Sequence, residues 1–330
     1  MGCATIEAHW QRRTGLTLVL APLSLLYCAL MGLLRLAYRL GLKRTLRLAR
    51  PVIVVGNLTV GGTGKTPLVI WLGRFLRESG LHPGIVARGY GGRGRDWPLP
   101  VTADSDPDRV GDEAVLLARR SGCPVVVGPD RVAAARRLLA EHASCDVILS
   151  DDGLQHYRLG RDIEIAVIDG ARRFGNGLCL PAGPLREPPR RLRAVDLVVT
   201  HGAPREGELG MRLVHTALRN LKDPVRLAQP RDFAWAAVHA VAGIGRPARF
   251  FDHLRALGLT VIEHPFPDHH RFRPRDLDAP GEAIVIMTEK DAVKCQGFAR
   301  ANHWVLEVEA KPDERLGVRI LELLKEIPRG

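Results

Sequence analysis

The stretch Val52-Ile-Val-Val-Gly-Asn-Leu-Thr-Val-Gly-Gly-Thr-Gly-Lys-Thr66 decides the fold of this chain, because it joins an apolar run to a glycine-rich turn and a Lys-Thr pair. The apolar run predicts a buried strand, and the Lys-Thr pair followed by Pro67 predicts the start of a helix. Glycines in such a turn let backbone N–H groups approach phosphate oxygens, Lys65 reaches the β- and γ-phosphates of a nucleotide, and the Thr66 hydroxyl holds magnesium. The candidate nucleotide-binding residues are Thr59, Val60, Gly61, Gly62, Thr63, Gly64, Lys65 and Thr66.

This turn departs from the common phosphate-loop pattern at one position, since Thr59 replaces the first glycine of G-x-x-x-x-G-K-[ST]. A plain glycine-rich connection between a strand and a helix is the alternative interpretation. Dimeric ATPases of the partitioning type carry a second lysine before the Gly-Gly pair, where Val60 stands here. A GTPase would offer an Asn-Lys-x-Asp motif, which does not occur in the sequence.

The composition predicts a folded cytosolic chain with an anionic partner. A length of 330 residues suggests about two domains, and the net charge of +12 favours nucleic acid, anionic lipid or a phosphorylated substrate. Aromatic residues are few and no nucleic-acid recognition motif occurs, so we expect no nucleic acid. The cysteines form no C-x-x-C pair and are predicted to be reduced thiols: Cys3, Cys28, Cys123, Cys145, Cys179 and Cys295.

The first fifty residues are predicted to form a membrane-associated helical region, 1–50. Residues 16–34 carry no charge, which is marginal for a spanning helix. Basic residues then recur at spacing four, and we expect them on one helix face that attracts anionic headgroups: Arg35, Arg39, Lys43 and Arg47. Whether this helix spans the bilayer or lies on it stays open, and a core-packed helix with a solvated basic edge is the alternative. The basic flank predicts that the following domain is cytoplasmic.

Beyond residue 50 the sequence predicts an α/β fold. Short apolar runs alternate with helical patterns, which argues a mainly parallel sheet that binds ligands at the carboxyl ends of its strands. We predict a P-loop NTPase-like α/β/α domain at 51–215 and a smaller α/β domain at 216–330 that closes the cleft. The runs 212–217 and 225–229 are predicted as a short hairpin or linker strands. Before residue 215 the candidate strands are 52–55, 84–87, 125–127, 147–150, 163–168 and 197–200.

Several charged residues follow predicted strands. Asp151 and Asp152 end an apolar strand, where a carboxylate approaches magnesium from the side opposite the loop, although Asp-Gly at 152–153 is also a turn signal. Asp112 and Glu113 begin a helix and, from the sequence alone, look like caps. Arg88 lies in a further glycine-rich loop that is either a phosphate site or a mobile lid.

Two motifs of the second domain also carry candidate groups. Pro267-Asp-His-His270 offers histidines that can move a proton near neutral pH, and no matching Cys or His pair at ligand spacing suggests zinc. Thr288-Glu-Lys-Asp291 puts charges at a strand end, as functional groups or as the cap of the next helix.

Taken together, these motifs resemble the tetraacyldisaccharide 4'-kinase family from about residue 10 to about residue 325. The resemblance rests on separated strings in one order: 55–67, 88–92, 111–113, 151–158, 168–177, 180–187, 243–247, 268–269 and 287–295. The Thr59 departure is typical of that family. Ala114 stands where the family usually has proline, which affects only the local helix start.

The resemblance implies ATP- and Mg²⁺-dependent phosphorylation of the 4'-hydroxyl of an acylated glucosamine disaccharide 1-phosphate, at the cytoplasmic face of the inner membrane and without an obligate protein partner. It implies that Asp112 and His269 accept the hydroxyl proton with Lys65 at the phosphates, and that Thr66, Glu113, Asp151 and Asp152 lie at the metal. The candidate substrate-binding residues are Arg88, Tyr90, Arg131, Arg172, Arg173 and Arg186. A membrane-bound nucleotide hydrolase that transfers no phosphate to lipid is the alternative function.

Overall fold

The computed structural model describes residues 9–327, and one sheet of thirteen strands runs through them. The strands are β1 Val52–Gly56, β2 Pro83–Ala87, β3 Leu99–Val101, β4 Val125–Val127, β5 Val147–Asp151, β6 Ile163–Asp169, β7 Leu197–His201, β8 Leu209–Asn220, β9 Leu227–Ala228, β10 Ala237–Ala242, β11 Thr260–Pro265, β12 Val285–Thr288 and β13 His303–Pro312. The helices are α1 Gly15–Arg39, α2 Lys65–Glu78, α3 Pro107–Val110, α4 Asp112–Ser121, α5 Arg131–Glu141, α6 Pro247–Ala256, α7 Glu289–Cys295 and α8 Glu314–Glu326.

The sheet order is β11-β10-β12-β13-β8-β7-β6-β1-β5-β2-β4-β3, with β9 beside β8. The strands from β7 to β4 along this order are parallel, as the alternating pattern predicts. Since β5 and β6 flank β1, the residues that end these two strands lie beside the loop that follows β1.

Helices cover both faces of this sheet because successive strand residues point in opposite directions. In β1, Ile53 and Val55 join one buried cluster with α2, α4 and α8, whereas Val52 and Val54 join another with α5. The alternation of strand and helix patterns therefore predicts the three-layer arrangement correctly. Tyr27 and Cys28 of α1 pack against the second cluster.

The predicted boundary between residues 215 and 216 lies inside β8. This strand bonds to β7 on one side and to β13 on the other, so one sheet connects the two halves. The run 212–217 is the middle of β8 and pairs with β13, whereas Leu227–Ala228 returns antiparallel to Leu218 and Arg219, so β8 and β9 form a hairpin just beyond the predicted run. The last helix packs back on the first half, where Gly317 lies against Phe75.

The predicted basic face that continues through Lys43 and Arg47 is wrong beyond Arg39, where α1 ends. Gly41 has a φ of +73°, a left-handed conformation that stops a helix and that glycine adopts at little cost. After it, Leu46 pairs with Leu159 in an isolated bridge. Five cysteines are free thiols, and Cys3 lies outside the described residues.

Candidate active site

The loop after β1 is held in shape by its own polar groups. The buried Asn57 Nδ2 donates to the Gly61 carbonyl and to Thr63 Oγ1, each at 3.3 Å, and the Val60 amide donates to the Pro184 carbonyl at 2.8 Å. Gly64 precedes α2 with a φ of +92°, which a β-carbon would disfavour. The loop is therefore built before any ligand arrives, and α2 begins at Lys65 with its positive dipole end at the loop.

Two acidic residues at the end of β5 face the loop. Lys65 Nζ lies 3.5 Å from Asp152 Oδ1, and Arg186 Nη1 donates to both Asp152 oxygens at 3.0 Å. Burial opposes ionisation of Asp152, but these two cations outweigh it and lower its pKa to about 2. Asp152 also has a φ of +49°, so its turn role and its ionic role coexist.

Asp151 is fully buried and differs from its neighbour in the direction of its pKa shift. Burial, followed by the nearby Glu113 carboxylate, raises the Asp151 pKa to about 7. Its Oδ2 accepts from the Thr66 hydroxyl at 3.3 Å, whereas its Oδ1 is buried without a partner among the described residues. An unpaired carboxylate oxygen beside a second carboxylate and a hydroxyl is a donor set that suits Mg²⁺.

Within residues 9–327, no three His, Cys, Asp or Glu side chains converge as a metal cage. Mg²⁺ is usually held by one or two carboxylates together with substrate phosphates and waters. The sparse oxygen set of Thr66, Glu113, Asp151 and Asp152 therefore fits magnesium better than zinc, which prefers four dedicated ligands.

The Asp112–His269 pair joins the two halves of the chain. Asp112 lies at the N-terminus of α4 and is 4% exposed, and its Oδ2 is 3.1 Å from His269 Nδ1. His269 reaches it from the loop after β11, with a φ of +59°. Asp112 therefore lies in the first turn of α4, as the capping interpretation predicts, and it also contacts His269, as the family resemblance implies.

Two lysines of α7 surround this pair. Lys294 Nζ lies 3.6 Å from Asp112 Oδ2, and Lys290 Nζ lies 3.2 Å from Glu113 Oε1 and 3.4 Å from His269 Nε2. Burial opposes ionisation of Asp112, but the hydrogen bond with His269 and the charge of Lys290 outweigh it and lower the Asp112 pKa. That hydrogen bond is also the main cause that raises the His269 pKa.

The structure divides the six candidate substrate residues among three places. The Tyr90 ring lies 4.9 Å from the His269 ring, and Arg88 lies over Tyr90. Arg186 contacts Asp152, and the buried Arg131 has its pKa lowered to about 10 by burial, with Asp152 opposing the shift. The other two are Arg172, which donates to the Gly62 carbonyl, and Arg173, which is bound to Glu208.

Sequence reasoning missed a second ionic cluster beside the loop. Asp169 ends β6 and is paired with Arg172 and Arg249 at 3.0 Å each and with Arg246 at 3.8 Å. Asp169 stands at the end of a strand beside β1, and this position is the feature that could have indicated the cluster. Thr288 caps α7 through the Asp291 amide, so the capping interpretation of that motif is confirmed while Lys290 still reaches the site.

Comparisons with known proteins identify the family of this chain. A family model described as tetraacyldisaccharide-1-P 4'-kinase matches residues 16–325. Tetraacyldisaccharide 4'-kinase of Nitrosococcus oceani is 55% identical over 97% of this chain and 94% of its own length. The enzyme of that name from Methylobacillus flagellatus is 51% identical over 97% and 95%.

One solved structure has the same architecture. The crystal structure of the "apo" form of LpxK from Aquifex aeolicus in complex with ATP is 28% identical, with a TM-score of 0.78. The similarity covers 94% of this chain and 99% of that one. On the extent of the family match and the identity of its relatives, the chain belongs to the tetraacyldisaccharide-1-P 4'-kinase family.

Proposed function

We propose that this chain transfers the γ-phosphoryl group of ATP to the 4'-hydroxyl of an acylated glucosamine disaccharide 1-phosphate. The observation that carries the proposal is the Asp112–His269 pair, which stands at 3.1 Å beside the carboxylates that face the phosphate loop. A proton-accepting pair next to a phosphate site is what transfer to an alcohol requires. Membership of the family and the ATP complex of the Aquifex aeolicus relative support the same activity.

The loop residues 59–66 would position the triphosphate. Backbone amides and the start of α2 face the phosphates, and Lys65, 3.5 Å from Asp152, would move its charge onto the transferred group. Thr66, Glu113, Asp151 and Asp152 would hold the magnesium ion, which when bound neutralises phosphate charge. Asp151 Oδ1 is the free oxygen that supports this role.

The Asp112–His269 pair would accept the proton of the 4'-hydroxyl. A carboxylate can only accept, so Nδ1–H of His269 donates to Asp112, and its Nε2, which faces Lys290 Nζ at 3.4 Å, is the nitrogen that would take the proton. The hydroxyl oxygen then forms a bond to the γ-phosphorus as the bond to the departing diphosphate breaks, and the proton stays on the pair. Arg88, Tyr90, Arg131 and Arg186 are the residues we assign to the substrate phosphates and sugar.

The pair predicts an acid limb in the pH profile of kcat/KM. Below its pKa, which is raised above the ordinary value near 6.5, His269 carries a second proton and cannot take one from the substrate. Asp112, with its lowered pKa, stays ionised over this range and adds no limb near neutrality. Asp112→Asn removes the acceptor charge, so the limb of its residual activity should move to lower pH. An identical limb in both enzymes would contradict the pairing.

The direct test of the function is transfer of label from γ-labelled ATP to a panel of acylated disaccharide 1-phosphates, with lipid extraction and counting. We expect label in the lipid only when the 4'-hydroxyl is free. Nucleotide hydrolysis without labelled lipid would instead favour the nucleotide hydrolase.

We further propose that α1 lies flat on the cytoplasmic face of the inner membrane. Helix α1 is long enough and apolar enough to span a membrane, yet one of its faces packs on the rest of the protein. Ser24 Oγ donates to the Cys179 carbonyl at 2.7 Å, and the ring centroids of Tyr38 and Tyr157 are 5.9 Å apart. The opposite face exposes large leucines, among them Leu18, Leu25 and Leu33. Because α1 contacts the rest of the protein along its length, we infer that it remains packed there and that its exposed leucines face lipid.

Substituting Leu18, Leu25 and Leu33 together by serine should weaken binding to anionic vesicles at least about tenfold, since each leucine loses apolar area that lipid would bury. Val225→Ser and Val318→Ser, exposed apolar sites on the body, form the matched control. A flat helix also places probes at positions 18 and 33 at one depth, although they are about 22 Å apart along the axis. Unequal quenching by lipid-borne quenchers would show a spanning helix and contradict the proposal.

A further inference from the structure

Three arginines project from a short segment that begins at the proposed catalytic histidine. Arg271, Arg273 and Arg275 are exposed, whereas Phe272 and Leu277 between and after them are buried in the core under β10 and β12. Neighbouring side chains of an extended segment point to opposite sides, so burial of Phe272 turns Arg271 and Arg273 outward together.

This segment is held rigidly. His270 Nε2 lies 3.0 Å from Asp276 Oδ2, and the Arg273 amide donates to the same oxygen at 2.8 Å. The His270 ring also packs against Phe266 and Phe272, at 4.6 and 4.8 Å between centroids. Eight of the ten residues 267–276 line a cleft of about 510 Å³, and His269 is one of them. A ligand that reaches His269 therefore meets a preformed surface.

The cleft carries uncompensated positive charge. Asp268 is paired with Lys290 at 3.1 Å, Asp276 is occupied by His270, and Arg271 is paired with Asp108 at 3.1 Å. In the part of the chain that the structure describes, no carboxylate lies within salt-bridge distance of the Arg273 or Arg275 guanidinium. Two exposed guanidinium forks beside the reacting end of the cleft favour an anion, and their planar donors match phosphate oxygens.

We propose that Arg273 and Arg275 bind the 1-phosphate of the disaccharide while its 4'-hydroxyl lies at His269. This inference rests on the proposed function, because it assigns the far end of the same substrate. Four residues of chain reach at most about 14 Å, and this upper limit on the distance from His269 to Arg273 leaves room for two linked sugars. The site would then select acceptors that already carry a phosphate at the end opposite the reacting hydroxyl.

The test compares two acceptors in micelles of neutral detergent, one with a 1-phosphate and one with a free 1-hydroxyl. For the double variant Arg273→Ala/Arg275→Ala we expect KM for the 1-phosphate acceptor to rise about tenfold or more with kcat nearly unchanged, because charged hydrogen bonds of that size are lost. Kinetics with the 1-hydroxyl acceptor should not change, which also shows that the variant is folded.

Arg231→Ala is the matched control. Pro230-Arg231-Asp232-Phe233 forms the same kind of short 3₁₀ turn as Pro274-Arg275-Asp276-Leu277. Phe233 packs in the cluster on the opposite face of the sheet from the one that holds Leu277, so Arg231 lies away from the cleft. We expect this variant to behave as the unmodified enzyme with both acceptors.

An equal rise in KM for both acceptors, or weakened binding to anionic vesicles with no change in acceptor preference, would show attraction to lipid headgroups and overturn the assignment. Unchanged kinetics with both acceptors would overturn it as well. Failure of the unmodified enzyme to label either acceptor would instead contradict the proposed function, so the two failures are distinguishable.

Discussion

Asp112→Asn should lower kcat at least about a hundredfold, the usual contribution of general acid–base catalysis, and leave ATP binding nearly unchanged. Asparagine keeps the shape of the side chain and an oxygen for the Glu113 amide, which donates to Asp112 Oδ1 at 2.8 Å. It removes the negative charge that His269 and Lys294 face. Turnover under saturating substrates is the measurement, and the loss belongs in kcat because the charge acts on proton transfer.

The double variant Asp112→Asn/His269→Ala sharpens this prediction. Residues that act as one unit give losses that do not add, so the double variant should be about as slow as the slower single variant. Asp252→Asn is the control, since Asp252 is an exposed acid on α6 that pairs with Arg255. Turnover of Asp112→Asn close to that of the unmodified enzyme would leave Asp112 as a structural residue at a helix start.

The nucleotide half of the fold can be predicted from the sequence because its strands are buried on both faces. The runs 147–150 and 163–168 are mostly Val, Ile and Leu, with Ser150 and Glu164 as the one polar residue in each, and the structure forms β5 and β6 there. The phosphate loop is predictable for the same local reason, since the strand, glycine turn and Lys-Thr pair all lie within fifteen residues.

The C-terminal elements were harder because their burial depends on distant partners. The exposed β11 and the long β13 carry charges such as Glu263 and Glu309, which interrupt the apolar pattern. Glu309 lies against Arg74 of α2 at 2.9 Å, a contact that only the fold creates. The proposed role of His269 is another case, since its partner Asp112 is 157 residues away and resemblance, not spacing, indicated the pair.

The contacts of the two lysines beside the Asp112–His269 pair could not be predicted from the local sequence. Lys290 and Lys294 are four residues apart on α7, so they share a face, but their contacts with Glu113 and Asp112 arise only because α7 packs on α4. The sequence therefore identifies charges at a strand end without identifying what they neutralise.

Lys65→Ala should lower kcat by about a hundredfold to a thousandfold, the range found when one preorganised donor to a developing charge is removed. The fold should survive, because Asp152 keeps Arg186 as a partner at 3.0 Å after the Lys65 contact at 3.5 Å is gone. Binding of the lipid acceptor should stay nearly unchanged, since Lys65 faces the nucleotide loop. Turnover and lipid binding are measured on the same preparation.

Two further variants show why activity is lost. Lys65→Arg tests whether any positive charge at position 65 is enough, and Lys222→Ala tests whether removal of a lysine elsewhere has the same effect. Arginine keeps the charge but spreads it over a planar group that does not fit a site built for a point charge, so it should restore little of the rate. The exposed Lys222 lies in the turn after β8, and its removal should change nothing. Full activity of Lys65→Ala would mean that the loop does not hold the transferred phosphate, and the kinase mechanism proposed here would have to be abandoned.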